Sequence, residues 1–374
     1  MKKISVGMVG GGEHAFIGNV HRIALRMDGR YELSAACLSS QPERALRSAL
    51  QLGISAERSY AHYQVMAESE RRRADGIRAV IIVTPNHLHY PVALSFLEAG
   101  IHVICDKPLC VNSEQAQHLN QVAQEAGCIL AVTYNYCAYP MVREARQKIA
   151  NGELGKLRTL QVEYSQDWLA DDLEASGQKQ ASWRTDPSQA GAAGCLGDIG
   201  VHAYNLVRFV SGLSAQQVAA DLTSFVEGRR LDDYAQVMLR FDYGARGTLL
   251  ASQISRGKEN HLRFYISGEL GSLEWNQEQP DQLIWAQKDQ ASRILKRARP
   301  GVSSASADVS YLPAGHPEGY LEAFSMLYKE IADVLLDVRA HDSIQDAMSA
   351  AHDLSFIEAC LKSAQRDSAW VKLA

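Results

Sequence analysis

A chain of 374 residues exceeds the usual size of one domain, so two domains are expected. Apolar residues make up 46% and charged residues 22%, which sets aside the disordered and fibrous classes. A net charge of −5 supplies no basic footprint for nucleic acid and no polybasic patch for a membrane surface.

Met1-Lys2-Lys3 has the charge of a signal n-region, but the apolar stretch after it breaks at Gly7 and again at Gly10 to Gly12. It reads as a first strand rather than a targeting peptide. No stretch approaches the length of a membrane span. The seven cysteines are scattered, with no C-x-x-C pair, as expected of reduced thiols in a cytoplasmic protein.

Residues 1–134 alternate strand and helix. Apolar strand-like runs fall at Ile4–Val9, Tyr31–Cys37, Ala79–Thr84, Ile101–Asp106 and Ile129–Tyr134. Helical patterns lie between them near Phe16–Met27, Pro42–Leu52, His89–Ala99 and Ser113–Ala126. Val/Ile/Ala-rich runs separated by helices predict a parallel sheet covered on both faces.

The glycines Gly10-Gly11-Gly12 follow the first strand directly, the context a dinucleotide fingerprint requires. The third small residue is Ala15 if the motif is G-x-G-x-x-A, or Gly18 if the turn is longer. In either case glycine lets the backbone approach a pyrophosphate, and the helix N-terminus, with Ala15, Phe16 and Ile17, supplies amide donors. The second strand ends in Cys37-Leu38-Ser39-Ser40, with Arg44 a turn further on. No carboxylate stands at that strand end to repel a 2′-phosphate, which tilts the expectation from NAD towards NADP.

At the ends of the next two strands stand Thr84-Pro85-Asn86-His87-Leu88-His89 and Asp106-Lys107-Pro108. Strand carboxyl ends open into the ligand crevice of such a sheet, so an ammonium at Lys107 is placed to touch a substrate oxygen. His87 and His89 lack the carboxylate or thiolate partners of a metal site, and no metal is expected.

Residues 135–374 read differently. Strand-like runs at Leu157–Asp167, Ala215–Phe225, Tyr234–Tyr243, Gly247–Ser255, Leu262–Ser267, Ser272–Trp275 and Leu283–Gln287 predict a large, mostly antiparallel open sheet. Helices over Tyr139–Asn151, Asp198–Ser211, Gly319–Asp337 and Ile344–Ala364 would cover one face. Long loops near Ala170–Leu196 and Ala291–Pro317 are candidates for shaping a pocket. Asp198 and His202 lie four apart at a helix start, so their side chains share one face. A carboxylate there can hold an imidazole in one tautomer, which makes a general acid/base near neutral pH.

The glycine turn Gly10–Gly18, Thr84-Pro85-Asn86, Asp106-Lys107-Pro108, Trp183-Arg184, and Asp198 with His202 together resemble the glucose–fructose oxidoreductase / inositol dehydrogenase (Gfo/Idh/MocA) family over essentially the whole chain. The resemblance implies a Rossmann NAD(P)-binding domain followed by an α+β domain that supplies the substrate face and the oligomer interface, as a homodimer or homotetramer. It implies Lys107, Asp198 and His202 as the catalytic set of a dehydrogenase acting on a CH–OH carbon of a sugar, sugar derivative or cyclitol. Gly10, Gly12, Ser39, Ser40, Thr84, Pro85, Asn86, His89, Asp106, Lys107, Trp183 and Arg184 would meet the cofactor. Asn135, Tyr136, Gln166, Trp168, Lys179 and His316 would join the catalytic residues around the sugar. Asp106 stands where the family carries glutamate, and the glycine turn is longer than the family pattern. A dihydrodiol- or C=C-reducing enzyme on the same scaffold, and a non-catalytic NAD(P)-binding regulator, are the alternatives.

Overall fold

The computed structural model describes residues 3–13, 15–340 and 344–373. Met1 and Lys2 of the charged start, and His14 of the glycine turn, lie outside the described residues. The chain forms two compact units, Met1–Tyr134 with Phe324–His352, and Asn135–Ala323 with Asp353–Ala374.

In the first unit the elements run β1 (Ile4–Gly10), α1 (Phe16–Asp28), β2 (Tyr31–Cys37), α2 (Pro42–Gln51), α3 (Tyr63–Arg72), β3 (Ala79–Val83), α4 (His89–Glu98), β4 (His102–Cys105), α5 (Ser113–Glu125) and β5 (Leu130–Val132). The strands form a parallel sheet in the order β2-β1-β3-β4-β5. Every residue of β3 is buried, as a central strand with both faces covered must be. Asn112 caps α5 by accepting from the Gln115 amide at 2.9 Å.

Helix α3 was not expected from the sequence. Its apolar stripe is only Met66 and Ala67 within a strongly charged stretch. The carboxylate of Glu70, on the same face, is buried because Arg58, the Tyr60 hydroxyl (2.9 Å) and the Ile77 amide (3.2 Å) all donate to it.

The chain returns to this unit near its end. The Tyr31 hydroxyl donates to the Tyr328 carbonyl at 2.6 Å, Arg30 pairs with Asp333 at 2.6 Å, and His21 Nδ1 lies 2.7 Å from the Tyr328 hydroxyl.

In the second unit α6 (Pro140–Ala150), β6 (Leu157–Ser165), α7 (Lys179–Arg184), α8 (Pro187–Ala190) and α9 (Val201–Ser211) precede the strands β7 (Ala215–Thr223), β8 (Tyr234–Phe241), β9 (Arg246–Ser252), β10 (His261–Gly268), β11 (Gly271–Asn276), β12 (Gln282–Gln287) and β13 (Arg293–Lys296). Then follow α10 (Ser304–Ala307), α11 (Tyr320–Leu335), α12 (Ala347–Ala364) and β14 (Val371–Lys372); α11 and α12 each contribute to both units.

The sheet order is β13-β12-β11-β10-β6-β9-β8-β7-β14, antiparallel except for the β6–β9 pair. Helix α9 packs on β6, β9 and β10, and Tyr204 stacks on Phe356 of α12 with ring centroids 4.0 Å apart. The opposite face carries a cross-strand row, Met238–Thr248–Gln161–Tyr265–Glu274–Ile284–Ile294, all exposed or half-exposed.

The two segments read as long loops contain short elements. Lys179–Arg184 and Pro187–Ala190 are helical, and Arg293–Lys296 is an edge strand whose flanking charges conceal it in the sequence. Among the described residues no helix is long and apolar enough to cross a membrane.

Candidate functional site

The first unit builds its glycine turn from close backbone contacts. Gly10 and Gly11 have φ of +82° and +73°, a region that glycine enters without steric cost. A Cβ on Gly12 would lie 2.6 Å from the Leu38 carbonyl oxygen. A Cβ on Gly18 would lie 2.5 Å from Gly11 Cα, so Gly18 is the residue that lets helix and turn touch. The sequence left that role open between Ala15 and Gly18. Ala15 instead occupies the N-cap of α1, with no capping side chain and no acidic residue in the first turn.

A helix N-terminus with no side-chain cap suits an anion through its dipole. Arg22 holds the turn from behind, donating to the Gly11 carbonyl at 2.7 Å. Beside the turn lies a cavity of about 400 Å³, with Gly12, Glu13, Phe16 and Ser48 in its wall. Ser48 Oγ is buried and has no hydrogen-bond partner.

Around the neighbouring strand ends, Ser39 Oγ accepts from the Gln41 amide at 3.1 Å, and Ser40 is exposed. Thr84 Oγ1 is buried without a partner, Pro85 is half-buried and Asn86 is buried. Such an orphaned hydroxyl fits a site that a polar ligand completes.

His89, expected to meet the cofactor, is fully buried. Its Nδ1 lies 2.7 Å from the Pro108 carbonyl and its Nε2 2.8 Å from the Thr84 carbonyl. The ring thus ties the end of β3 to the segment after β4. Burial lowers its pKa, and the two carbonyls and Asp106 offset that only in part. Asp106 Oδ1 accepts from the Lys107 amide (2.9 Å) and the Thr133 hydroxyl (3.0 Å). Lys107, half-buried, precedes a cis peptide bond to Pro108.

Residues of the second unit gather around His202. The helix carrying it opens with a π-helical turn, Leu196–Gly200, a feature frequent at functional sites. Asp232 anchors that turn, its carboxylate accepting from the amides of Gly194 (2.6 Å) and Leu196 (2.8 Å) and from the Cys195 thiol (3.2 Å). Within the turn, Asp198 Oδ2 accepts from Arg184 Nε at 3.1 Å and from Gln253 Nε2 at 2.9 Å. The Arg184 guanidinium also lies 4.2 Å from the Trp183 ring centroid and 5.9 Å from that of Trp168.

His202 is 8% exposed, with the Tyr136 ring edge-on at 4.9 Å and the Tyr164 ring at 6.3 Å. The two tyrosine hydroxyls are 2.6 Å apart, and Tyr164 donates to Asn260 Oδ1 at 2.7 Å. Gln166 Nε2 donates to the same oxygen at 2.7 Å, and Trp168 Nε1 donates to Gln166 at 3.1 Å. Burial raises the pKa of both tyrosines, so they are neutral hydrogen-bonding groups at neutral pH.

Tyr136, Gln166, Trp168, Arg184, Asp198 and His202 therefore lie in one neighbourhood. Asn135 is buried, and its Nδ2 has no partner. Lys179 and His316 stand outside the network; both are exposed, and the His316 carbonyl is held by Arg297. Sequence reasoning missed Tyr164, Asn260, Gln253 and Glu13. The first three lie on or beside strands, and only the strand register brings them together. Among the described residues no group of three or more His, Cys, Asp or Glu side chains is arranged to hold a metal, and all seven cysteines are free and buried.

A parallel sheet with a glycine phosphate turn, joined in one chain to an open sheet bearing a buried histidine network, defines a dinucleotide-binding oxidoreductase architecture. The model of the oxidoreductase family's NAD-binding Rossmann fold matches residues 4–134, and that of the GFO/IDH/MocA C-terminal domain matches residues 142–274. An oxidoreductase of solved structure from Sinorhizobium meliloti is 45% identical over 100% of both chains, with a TM-score of 0.91. An inositol dehydrogenase homolog from Azotobacter vinelandii, solved with NADH and myo-inositol, is 31% identical over 99% of this chain and 98% of its own, with a TM-score of 0.91. Levoglucosan dehydrogenase of Pseudarthrobacter phenanthrenivorans is 31% identical over 78% of this chain and 79% of its own. The chain belongs to the Gfo/Idh/MocA family of NAD-binding oxidoreductases.

Proposed function

We propose that the protein is an NAD(P)-dependent dehydrogenase that oxidises a CH–OH carbon of a sugar, sugar derivative or cyclitol, or reduces the corresponding carbonyl. The observation that carries this reading is the buried His202, enclosed by Tyr136 and Tyr164 and linked through Asn260 to Gln166 and Trp168. Hydroxyls, amides and an indole beside an imidazole are what a polyol needs, since each substrate hydroxyl must find a partner and each C–H face a flat apolar wall. Relatives named for inositol and levoglucosan support the substrate class.

The nicotinamide, when bound, would supply the hydride acceptor for oxidation and the hydride for reduction. His202 takes the hydroxyl proton in oxidation and returns it in reduction. Lys107 donates to the substrate oxygen and stabilises its developing negative charge. Asp198 orients His202 and supports its charged form, while Arg184 and Gln253 hold Asp198 in place.

Gly10, Gly12, Ala15 and the amides at Phe16 and Ile17 would border the pyrophosphate, the Ala15 amide closing the turn on the Gly12 carbonyl at 3.1 Å, with Ser39 and Ser40 towards the ribose. Thr84, Pro85, Asn86 and Asp106 would border the nicotinamide half, with Trp183 and Arg184 as further cofactor contacts. His89 acts behind them through the Thr84 and Pro108 carbonyls. Asn135, Tyr136, Gln166 and Trp168 would bind the sugar, with Lys179 and His316 as outer contacts. The exposed row from Met238 to Ile294 is proposed as the face through which copies of the chain associate.

Mixing the protein with NAD+ or NADP+ and a panel of inositols, aldoses and anhydrosugars, and following absorbance of the reduced cofactor, tests the reading. Turnover on at least one of them is expected, and Lys107→Ala and His202→Ala should abolish it. Tight cofactor binding without turnover on any of them would count against a dehydrogenase. Activity surviving His202→Ala would remove the acid/base assignment.

A further inference from the structure

The end of β2 carries no carboxylate in the sequence, yet the structure supplies one from another segment. Gly12 passes so close to Leu38 that a Cβ would lie 2.6 Å from the Leu38 carbonyl oxygen, which sets Glu13 beside the residues that follow β2. Glu13 Oε1 is 3.0 Å from Arg47 Nε, and Oε2 is 3.6 Å from Arg44 Nε. Both arginines lie on α2, the helix that begins just after that strand end. Pairing with Glu13 contributes to raising the Arg47 pKa. Glu13 also lies in the wall of the cavity beside the phosphate turn.

We propose that Glu13 selects NAD over NADP, acting from the glycine turn where a dinucleotide enzyme usually places an acid on β2. The proposal rests on the dinucleotide reading above and reverses the tilt towards NADP taken from Ser39, Ser40 and Arg44 alone. Its physical basis is charge. A 2′-phosphate carries roughly −1.5 to −2. Brought here, it meets a carboxylate and finds both guanidinium groups already engaged. A free 2′-hydroxyl has neither problem, because it donates to a carboxylate. Glu13 therefore both repels the phosphate and occupies the two cations that would otherwise attract it.

Equilibrium titration of NADH and NADPH, read by energy transfer from protein tryptophan, tests this without any substrate. The proteins are wild type, E13Q, and E13Q combined with R44A and R47A. Wild type is expected to bind NADH more tightly. In E13Q the ratio of the two Kd values should move towards NADPH by about tenfold or more, since removing a like charge frees two opposite ones. That gain should shrink with added salt and disappear in the triple variant.

Retained NADH binding by E13Q shows that the turn is folded. A wild type that prefers NADPH, or an E13Q ratio within twofold of wild type, overturns the proposal and leaves the dinucleotide reading standing. A wild type that binds neither nucleotide overturns both.

Discussion

Substituting Gly18 by alanine tests the closest backbone contact in the first unit. The added methyl would sit 2.5 Å from Gly11 Cα and 2.8 Å from the Gly11 carbonyl oxygen, where carbon atoms ordinarily stay about 3.5–4.0 Å apart. No flexible side chain can give way, because both neighbours are backbone. Gly11 itself is fixed at φ +73° and held by Arg22. Relief therefore requires α1 to move off the turn by about 1 Å, and overpacking of this kind costs about 2 kcal/mol.

A thermal melt should show the first unfolding transition lowered by roughly 4–8 °C. The same displacement carries the first-turn amides away from an anion, and losing one charge-assisted hydrogen bond of about 1.5–3 kcal/mol weakens dinucleotide binding about tenfold or more. Gly29→Ala is the control. Gly29 has φ +77° with nothing within 4 Å, so alanine there costs about 1 kcal/mol of backbone strain and leaves the Kd unchanged. A Gly18→Ala protein that melts and binds as wild type does would refute the contact and the role given to it.

Asp232→Ala removes three hydrogen bonds at the start of the π-helical turn and should lower stability by about 2–3 kcal/mol in a urea titration. Asp232→Asn, which keeps one acceptor oxygen, should recover part of the loss. Burial pushes the His21 pKa down to about 4, from about 6.5 in the unfolded chain. Its contribution to stability is therefore intact above pH 6.5 and is lost as pH falls towards 4, by about 3 kcal/mol in all. His21→Leu should flatten the fall in melting temperature between pH 7 and 4.5, and an equally steep fall in the variant would count against this assignment. Gln253→Leu removes a donor to Asp198 Oδ2. It should lower kcat about tenfold with KM changed far less, whereas a change confined to KM would make Gln253 a substrate contact instead.

What the sequence made legible was whatever repeats locally. Ala79-Val80-Ile81-Ile82-Val83, short, apolar throughout and rich in β-branched residues, reads as a strand covered on both sides, and the spacing of Asp198 and His202 places them on one face of a helix. What it concealed depends on register or on distant contacts. Asn260 meets Tyr164 across 96 positions, Gln253 meets Asp198 across 55, and Arg47 meets Glu13 across 34. Helix α3 was hidden because its core face is two apolar residues and a glutamate neutralised by partners elsewhere in the chain. Edge strand β13 was hidden by the arginine and lysine that end it. The third glycine was ambiguous because the pattern does not state how many residues the turn inserts before the helix.

The contacts that hold each part of the chemistry are separate, and this has a consequence for how variants behave. The phosphate turn is shaped by Gly11 against Gly18, Gly12 against Leu38, and Arg22 on the Gly11 carbonyl. The His202 imidazole is enclosed by Tyr136 and Tyr164, and the Asp198 carboxylate is held by Arg184 and Gln253. No residue is shared between the two sets, so their free-energy effects should add. A Gly18→Ala, Gln253→Leu double variant should combine the binding loss of the first with the kcat loss of the second. A marked departure from additivity would refute the independence of the two sets of contacts.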